Sequence, residues 1–329
     1  MSSVNLDKKE LKIMALVIVV LLIAGGVFIY KKGEKNKGRA KSRNDKRYDA
    51  GQLHYVDESL IRYKQKKVFK SYFDRVLGFA FDSENNLYIC GNDGIRLFND
   101  QCDFVEHFYY PNSIRCVVVT AEGQLIAASE SSLIYFDKKG NVIKKVSKKE
   151  WGLLNSIVLT KEFIFLADRM HRKIWKCNRS GEVLTSFGSI ESDKINGLII
   201  PGIHMDMALG ENDLLYVSNP GRHHINTYTF DGVLTSVIGR PSFKHEGFCG
   251  CCNPVSIAML SSNTIMTCEK GISRVKLLDL KGKLIGVVAA PIDFKNNKHA
   301  YNIDLLQGKN DTVYLLESDT NLVYIYEKK

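Results

Sequence analysis

The sequence predicts an all-β protein, a six-bladed β-propeller preceded by a single transmembrane helix. Three observations predict it: an uncharged apolar run near the N-terminus, six self-similar segments that fill the rest of the chain, and short alternating strands with polar turns inside each segment. A chain of 329 residues with 45% hydrophobic and 25% charged residues has the composition of a globular protein, so general disorder is excluded.

Residues 1–12 form a short polar tail. Residues 13–30, "IMALVIVVLLIAGGVFIY", run for eighteen positions without a charge, close to the ~20 that a helix needs to cross a bilayer core. A cleaved signal peptide would carry an apolar region of roughly 7–15 residues and a small-residue cleavage site. Here Ala24-Gly25-Gly26 leads on into Val27-Phe28-Ile29-Tyr30, and the terminal Tyr suits an interfacial anchor. Residues 31–51 lack apolar periodicity and are rich in Lys and Arg, the pattern of a solvated juxtamembrane linker.

Twelve Lys and Arg against five acids in residues 1–50 account for +7 of the net +10, leaving +3 for residues 51–329. The basic character therefore belongs to the tail, and nucleic-acid binding by the folded part loses its electrostatic support. Three Lys precede the apolar run and nine Lys or Arg follow it. The positive-inside rule then favours a cytoplasmic propeller, whereas a short N-terminal tail on one span is the usual layout for export.

From residue 52 to the C-terminus the chain repeats one grammar: strand, polar turn, β-branched strand, loop, alternating strand, turn, strand. The blade cores run over about 76–109, 113–147, 153–188, 201–239, 250–289 and 300–329. A period of roughly 35–50 residues with four strands per unit is propeller spacing. The sixth copy ends after its third strand, at Glu327-Lys328-Lys329. An open edge of that kind needs cover, and 60–73, "LIRYKQKKVFKSYF", alternates like a strand and is expected to supply it.

"IFLADRMHRKIWKCNRSGEVLTSFG" in blade three and "LYVSNPGRHHINTYTFDGVLTSVIG" in blade four resemble NHL repeats. Blade five, with "GCCNPVSIAM" and "CEKGISRVKLLD", resembles a bacterial membrane-tethered subgroup carrying a Gly-Cys-Cys-Asn-Pro loop. The resemblance implies an NHL-type propeller over about 75–329 and leans towards an extracytoplasmic domain. It is weak for function, because propellers host enzymes and adaptors alike.

In a four-stranded blade the loop entering strand one and the loop after strand two share a face. Asp168, Asn219, Glu269 and Glu317 align at the end of strand two, and His204, Pro254 and Asn302 at the start of strand one, with Leu153 in the same place in blade three. The expected binding face comprises Asp168, Arg169, His204, Asp206, Asn219, Arg222, His223, His224, Glu269, Lys270, Tyr301 and Asn302. The aligned acids read either as a carboxylate ring for a cation or as caps on backbone N–H groups of the turns.

Cys249, Cys251, Cys252 and Cys268, with His245 nearby, leave three readings open. They can be a disulfide, Cys252 to Cys268, with Val255 roughly opposite Cys268; a zinc or iron or redox site; or packed turn thiols. The spacing lacks the C-x2-4-C pairs of a ready-made zinc site. Six-bladed NHL-like propellers include peptidyl-hydroxyglycine amidating lyases with channel zinc on His, which would draw on His204 with His223 or His224; at the equivalent positions of other blades Leu153, Pro254 and Asn302 stand in place of His. No phosphate-binding Gly loop, G-x-S-x-G or H-E-x-x-H occurs. The expectation is a membrane-anchored module that binds a protein or peptide without cofactor or catalysis. The alternative is a metal- or thiol-dependent enzyme or redox module.

Overall fold

Val, Ile, Phe and Tyr alternating with small or polar residues favour short pleated strands, and Asn, Asp and Gly between them end each strand in a tight turn. In the computed structural model, which describes residues 55–260, 263–294 and 303–329, these strands build six four-stranded antiparallel sheets.

Strand β1 (Tyr63–Lys70) comes first. Blade one is β2 (Val76–Phe81), β3 (Leu87–Gly91), β4 (Gly94–Phe98) and β5 (Phe104–Tyr109); blade two is β6 (Cys116–Val119), β7 (Leu125–Ser129), β8 (Ser132–Phe136) and β9 (Val142–Ser147). Blade three is β10 (Leu154–Leu159), β11 (Phe163–Asp168), β12 (Lys173–Asn178) and β13 (Val183–Phe187); blade four is β14 (Met207–Leu209), β15 (Leu214–Asn219), β16 (His224–Thr229) and β17 (Leu234–Ile238). Blade five is β18 (Ser256–Leu260), β19 (Thr264–Glu269), β20 (Arg274–Asp279) and β21 (Leu284–Ala289); blade six is β22 (Ile303–Gln307), β23 (Val313–Glu317) and β24 (Leu322–Lys328) with β1.

One turn recurs after the third strand. Asp137 Oδ1 accepts from the backbone N–H of Lys139 (2.9 Å) and Asn141 (2.8 Å), and Asp279 Oδ1 from Lys281 (2.9 Å) and Lys283 (2.8 Å). Asn178 and Asn99 do the same in blades three and one. The turn needs a left-handed residue, which is Gly140 (φ 76°) in blade two and Cys102 (φ 64°) in blade one. A Cβ is costly there but tolerated once.

Side chains of adjacent sheets interdigitate in an apolar layer at each of the six blade interfaces. Ile126, Leu133 and Tyr135 of blade two meet Leu154, Leu166 and Trp175 of blade three, and Leu87 and Phe98 of blade one meet Leu316 and Val323 of blade six. Each such buried side chain contributes about 1.5–3 kcal/mol, so the seam between the first and last blades is held as the others are. Second strands such as β7 are wholly buried, and fourth strands such as β9 face solvent.

The ring closes through β1, which pairs with β24 from Tyr63↔Lys328 to Lys70↔Leu322 and makes the order β1-β24-β23-β22. Asn321 latches the chain as it passes into blade one: its Oδ1 accepts from Val76 N–H (3.1 Å) and its Nδ2 donates to Asp74 O (2.9 Å). Just upstream, Val56, Leu60 and Ile61 cover the outer edge of blade five, where Arg62 N–H donates to Val287 O (2.9 Å).

Residues 13–30, Tyr301 and Asn302 lie outside the described residues. Among the described residues no helix is long and apolar enough to cross a membrane.

Candidate functional site

In blades three to six the loops at one end of the ring are held by the last residue of the second strand. Asp168 is fully buried and accepts from Gly152 N–H (2.7 Å), Met170 N–H (3.1 Å), His171 N–H (3.1 Å) and Trp175 Nε1–H (3.0 Å). Burial alone would raise its carboxyl, but these hydrogen bonds and the His171 side chain outweigh burial and hold it below the ordinary value. Asn219 accepts from Ile199 N–H (2.9 Å) and contacts Asn226, seven residues on. Glu269 receives Arg274 Nη2 (2.7 Å), Lys276 Nζ (3.1 Å) and Cys249 N–H (3.3 Å). Glu317 accepts from Thr320 Oγ1 (2.5 Å) and Tyr324 OH (2.8 Å). The four side chains are consumed separately, each by the loops and third strand of its own blade. Asp168, Asn219 and Glu269 accept from backbone N–H groups of the loops, whereas Glu317 bonds two hydroxyls and its Oε1 has no partner among the described residues.

The channel is lined by the first strands of all six blades around a cavity of about 560 Å³. The residue facing the position just before each second-strand end is the same repeat position in every blade. Gly78 pairs with Cys90, Cys116 with Ala128, Ser156 with Ala167, Ser256 with Cys268 and Asp304 with Leu316, while Asp206 O accepts from Ser218 N–H. These six form one ring. Within it Asp206 Oδ1 accepts from Ser156 Oγ (2.9 Å) of blade three and its Oδ2 from Ile257 N–H (2.9 Å) of blade five. Asp206 thus ties three neighbouring first strands together. Burial raises the Asp206 carboxyl; burial and then the Asp206 charge raise Asp304 well above the usual carboxylate range. The two acids therefore titrate as a pair, both above the ordinary carboxylate range.

The channel mouth carries the opposite charge. Arg115 lines the cavity, and burial together with the charges of Arg169 and Arg75 pulls it below the usual guanidinium range. The Nε atoms of Arg115 and Arg169 have no hydrogen-bond partner among the described residues. On the loops of this end, Met170 is 66%, Ile195 77%, Ile203 57% and Phe243 60% exposed.

The other expected site residues scatter. His204 is buried at the cavity wall. Arg222 donates to Gly197 O and Lys194 O (both 2.9 Å) and serves the adjacent loop. His224 packs on Asn219, and burial pushes its imidazole down to about 4. His223 has left-handed φ (59°) and is lowered by burial. His245 Nδ1 faces Arg274 Nη1, and burial and then that cation lower it. Lys270 donates its N–H to Asn253 Oδ1 (2.8 Å).

All eight cysteines are free thiols. Ser256, not Val255, pairs with Cys268, and Val255 N–H donates to Cys268 O (3.0 Å). That shift directs the Cys268 thiol at Glu269 O, while Cys252 Sγ lies 3.1 Å from Cys251 Sγ. The Cys252–Cys268 pairing is therefore replaced by a contact between sequence neighbours. Among the described residues no group of three or more His, Cys, Asp or Glu is placed to hold a metal ion, the Cys loop with His245 and the pair His204 and His223 included. The expected binding face included Asp206 but not Asp304, Ser156, Ser256 or Arg115; the shared position in strand one was the available signal.

The chain is similar to solved propellers. Virginiamycin B lyase from Staphylococcus aureus superimposes with a TM-score of 0.53 at 14% identity, over 81% of this chain and 88% of that one. A streptogramin B lyase gives 0.54 at 14%, over 83% and 90%, and the WD40 propeller domain of Doa1 gives 0.54 at 16%, over 77% and 79%. These likenesses show the fold alone. No protein-family model matches the chain, and no curated protein does either.

Proposed function

We propose that the chain is an NHL-type binding module, tethered to a membrane by residues 13–30 with the propeller outside the cytoplasm, which takes an anionic segment of a protein or peptide at the channel mouth. The observation that carries the binding reading is the pair Arg115 and Arg169, neighbouring guanidinium groups whose buried Nε atoms have no hydrogen-bond partner among the described residues. Guanidinium groups match carboxylates with two parallel hydrogen bonds. The exposed Met170, Ile195, Ile203 and Phe243 on the same end suit a polypeptide better than a small anion. The tether rests on the eighteen uncharged residues and the NHL type on the repeat pattern.

The test floats full-length chain with phosphatidylcholine vesicles and adds labelled short peptides, Glu-rich or with Gln at the same positions. The expected result is co-flotation and at least a tenfold preference for the Glu-rich peptide, about 1.4 kcal/mol. That preference is lost in Arg115→Gln/Arg169→Gln. Equal retention of both peptides, or an unchanged preference in the double variant, refutes the anionic ligand. Chain left at the bottom of the gradient refutes the tether.

A further inference from the structure

Four of the eight thiols crowd into one corner of blade five, and their surroundings separate them into two kinds. Cys249 is buried with its thiol 3.8 Å from Glu269 Oε1, and burial and that carboxylate push it up to about 11. Cys268 is buried, and its thiol points at a backbone carbonyl. A thiolate at either position would face an acceptor, so both are held as thiols.

Cys251 and Cys252 differ. Cys251 is exposed, Cys252 is buried beside it, and the two sulfurs stand 3.1 Å apart. A disulfide bond is about 2.05 Å long, so about 1 Å of approach would join them. The backbone around them is clamped: Asn253 Nδ2 donates to Cys249 O (2.8 Å) and Lys270 O (3.2 Å), and Asn253 Oδ1 accepts from Lys270 N–H (2.8 Å). Gly250 supplies the left-handed turn (φ 82°) that starts this bend. A Cβ there would meet only Asn253 Nδ2, at 3.5 Å, so the conformation and not the space calls for glycine. Burial raises the Cys252 thiol, and the neighbouring Lys270 ammonium opposes that shift in part.

We propose that Cys251 and Cys252 are a vicinal dithiol that exchanges with low-molecular-weight disulfides and closes reversibly to a disulfide between neighbouring residues. The exposed Cys251 thiolate attacks one sulfur of a disulfide RSSR, forming a mixed disulfide and releasing RS⁻. Cys252 then gives up its proton and attacks the Cys251 sulfur, releasing the second RS⁻. Two protein thiols are oxidised, one RSSR is reduced to two RSH, and the two protein protons end on the released thiols. The reduced pair, with two sulfurs already side by side, also fits a trivalent arsenical that bonds both.

Trypsin releases all four cysteines of this corner on one peptide, cut after Lys244 and after Lys270. Full-length chain is equilibrated in glutathione buffers of rising oxidised fraction, alkylated, digested and sequenced by mass spectrometry. The expected result is loss of two of the four alkylation sites, assigned to Cys251 and Cys252, and their return with reductant. Cys249→Ser should oxidise as the parent does, and Cys252→Ser should stop at a glutathione adduct on Cys251. Four alkylated cysteines at every ratio, or a disulfide involving Cys249 or Cys268, overturns the proposal. Phenylarsine oxide supplies a readout that needs no variant: one equivalent should bind the reduced chain and none the oxidised one, and uptake equal in both states also overturns it.

Discussion

At the scale of single residues, the buried charges of blade five show how strongly one side chain can govern a loop. Glu269, Arg274 and Lys276 are fully buried together. Burial would raise the Glu269 carboxyl, but Lys276 and Arg274 outweigh it and hold the group below its ordinary range. Burial in turn lowers Lys276 against the pull of Glu269. A carboxylate with a lowered pKa contributes stability above its unfolded value and loses it as pH falls through the folded one. Glu269→Gln leaves two buried cations without their anion, a loss of about 3–5 kcal/mol. Urea unfolding of parent and variant at neutral pH checks this, and equal midpoints would contradict it. The sequence placed Glu269 at a strand end but not in an ion triad, because Arg274 and Lys276 enter only once β19 and β20 pair in register.

At the scale of elements, the repeats were legible because each blade carries the same turn chemistry and the same alternation. Register was less legible. A bulge between Leu154 and Ser156 puts Leu154 opposite Asp168 and shifts the pairing of the following residues by one. One residue of shift in a strand reverses the face a side chain takes. Strand β1 carries a further prediction. Tyr63 is buried in the layer that holds Val313, Leu315 and Tyr324, where β1 joins residues from opposite ends of the chain. Tyr63→Ala is expected to cost about 3–5 kcal/mol and to speed amide hydrogen exchange in β24 ahead of the other strands. Uniform exchange across the six sheets would show that closure does not depend on this contact.

At the scale of the whole ring, Asp206 and Asp304 meet because the first strands of blades four and six converge on one channel. Both are raised, so the folded state keeps a proton that the unfolded chain releases, and stability falls as pH rises from the ordinary carboxylate pKa to the raised ones. Asp304→Asn removes one charge and keeps the size. It should stabilise the propeller by about 1–3 kcal/mol near neutral pH and by less near pH 5. The lowered His223, His224 and His245 act in the other direction, losing stability as pH falls through the usual imidazole range, and they cancel in the difference between parent and variant. Urea midpoints at both pH values test it; parallel profiles would mean that the two acids are not coupled.

The sequence by itself determined the all-β, six-bladed propeller, because period, alternation and turn residues are local properties that each blade states separately. Only the tertiary structure decided which polar groups meet. Ser156 and Ile257 N–H reach Asp206 across about fifty residues on either side, and the aligned acids Asp168, Glu269 and Glu317 turn inward to different partners. A repeat places residues at equivalent heights, but strand register and ring closure choose which of them face the channel, and those depend on contacts that no single repeat contains.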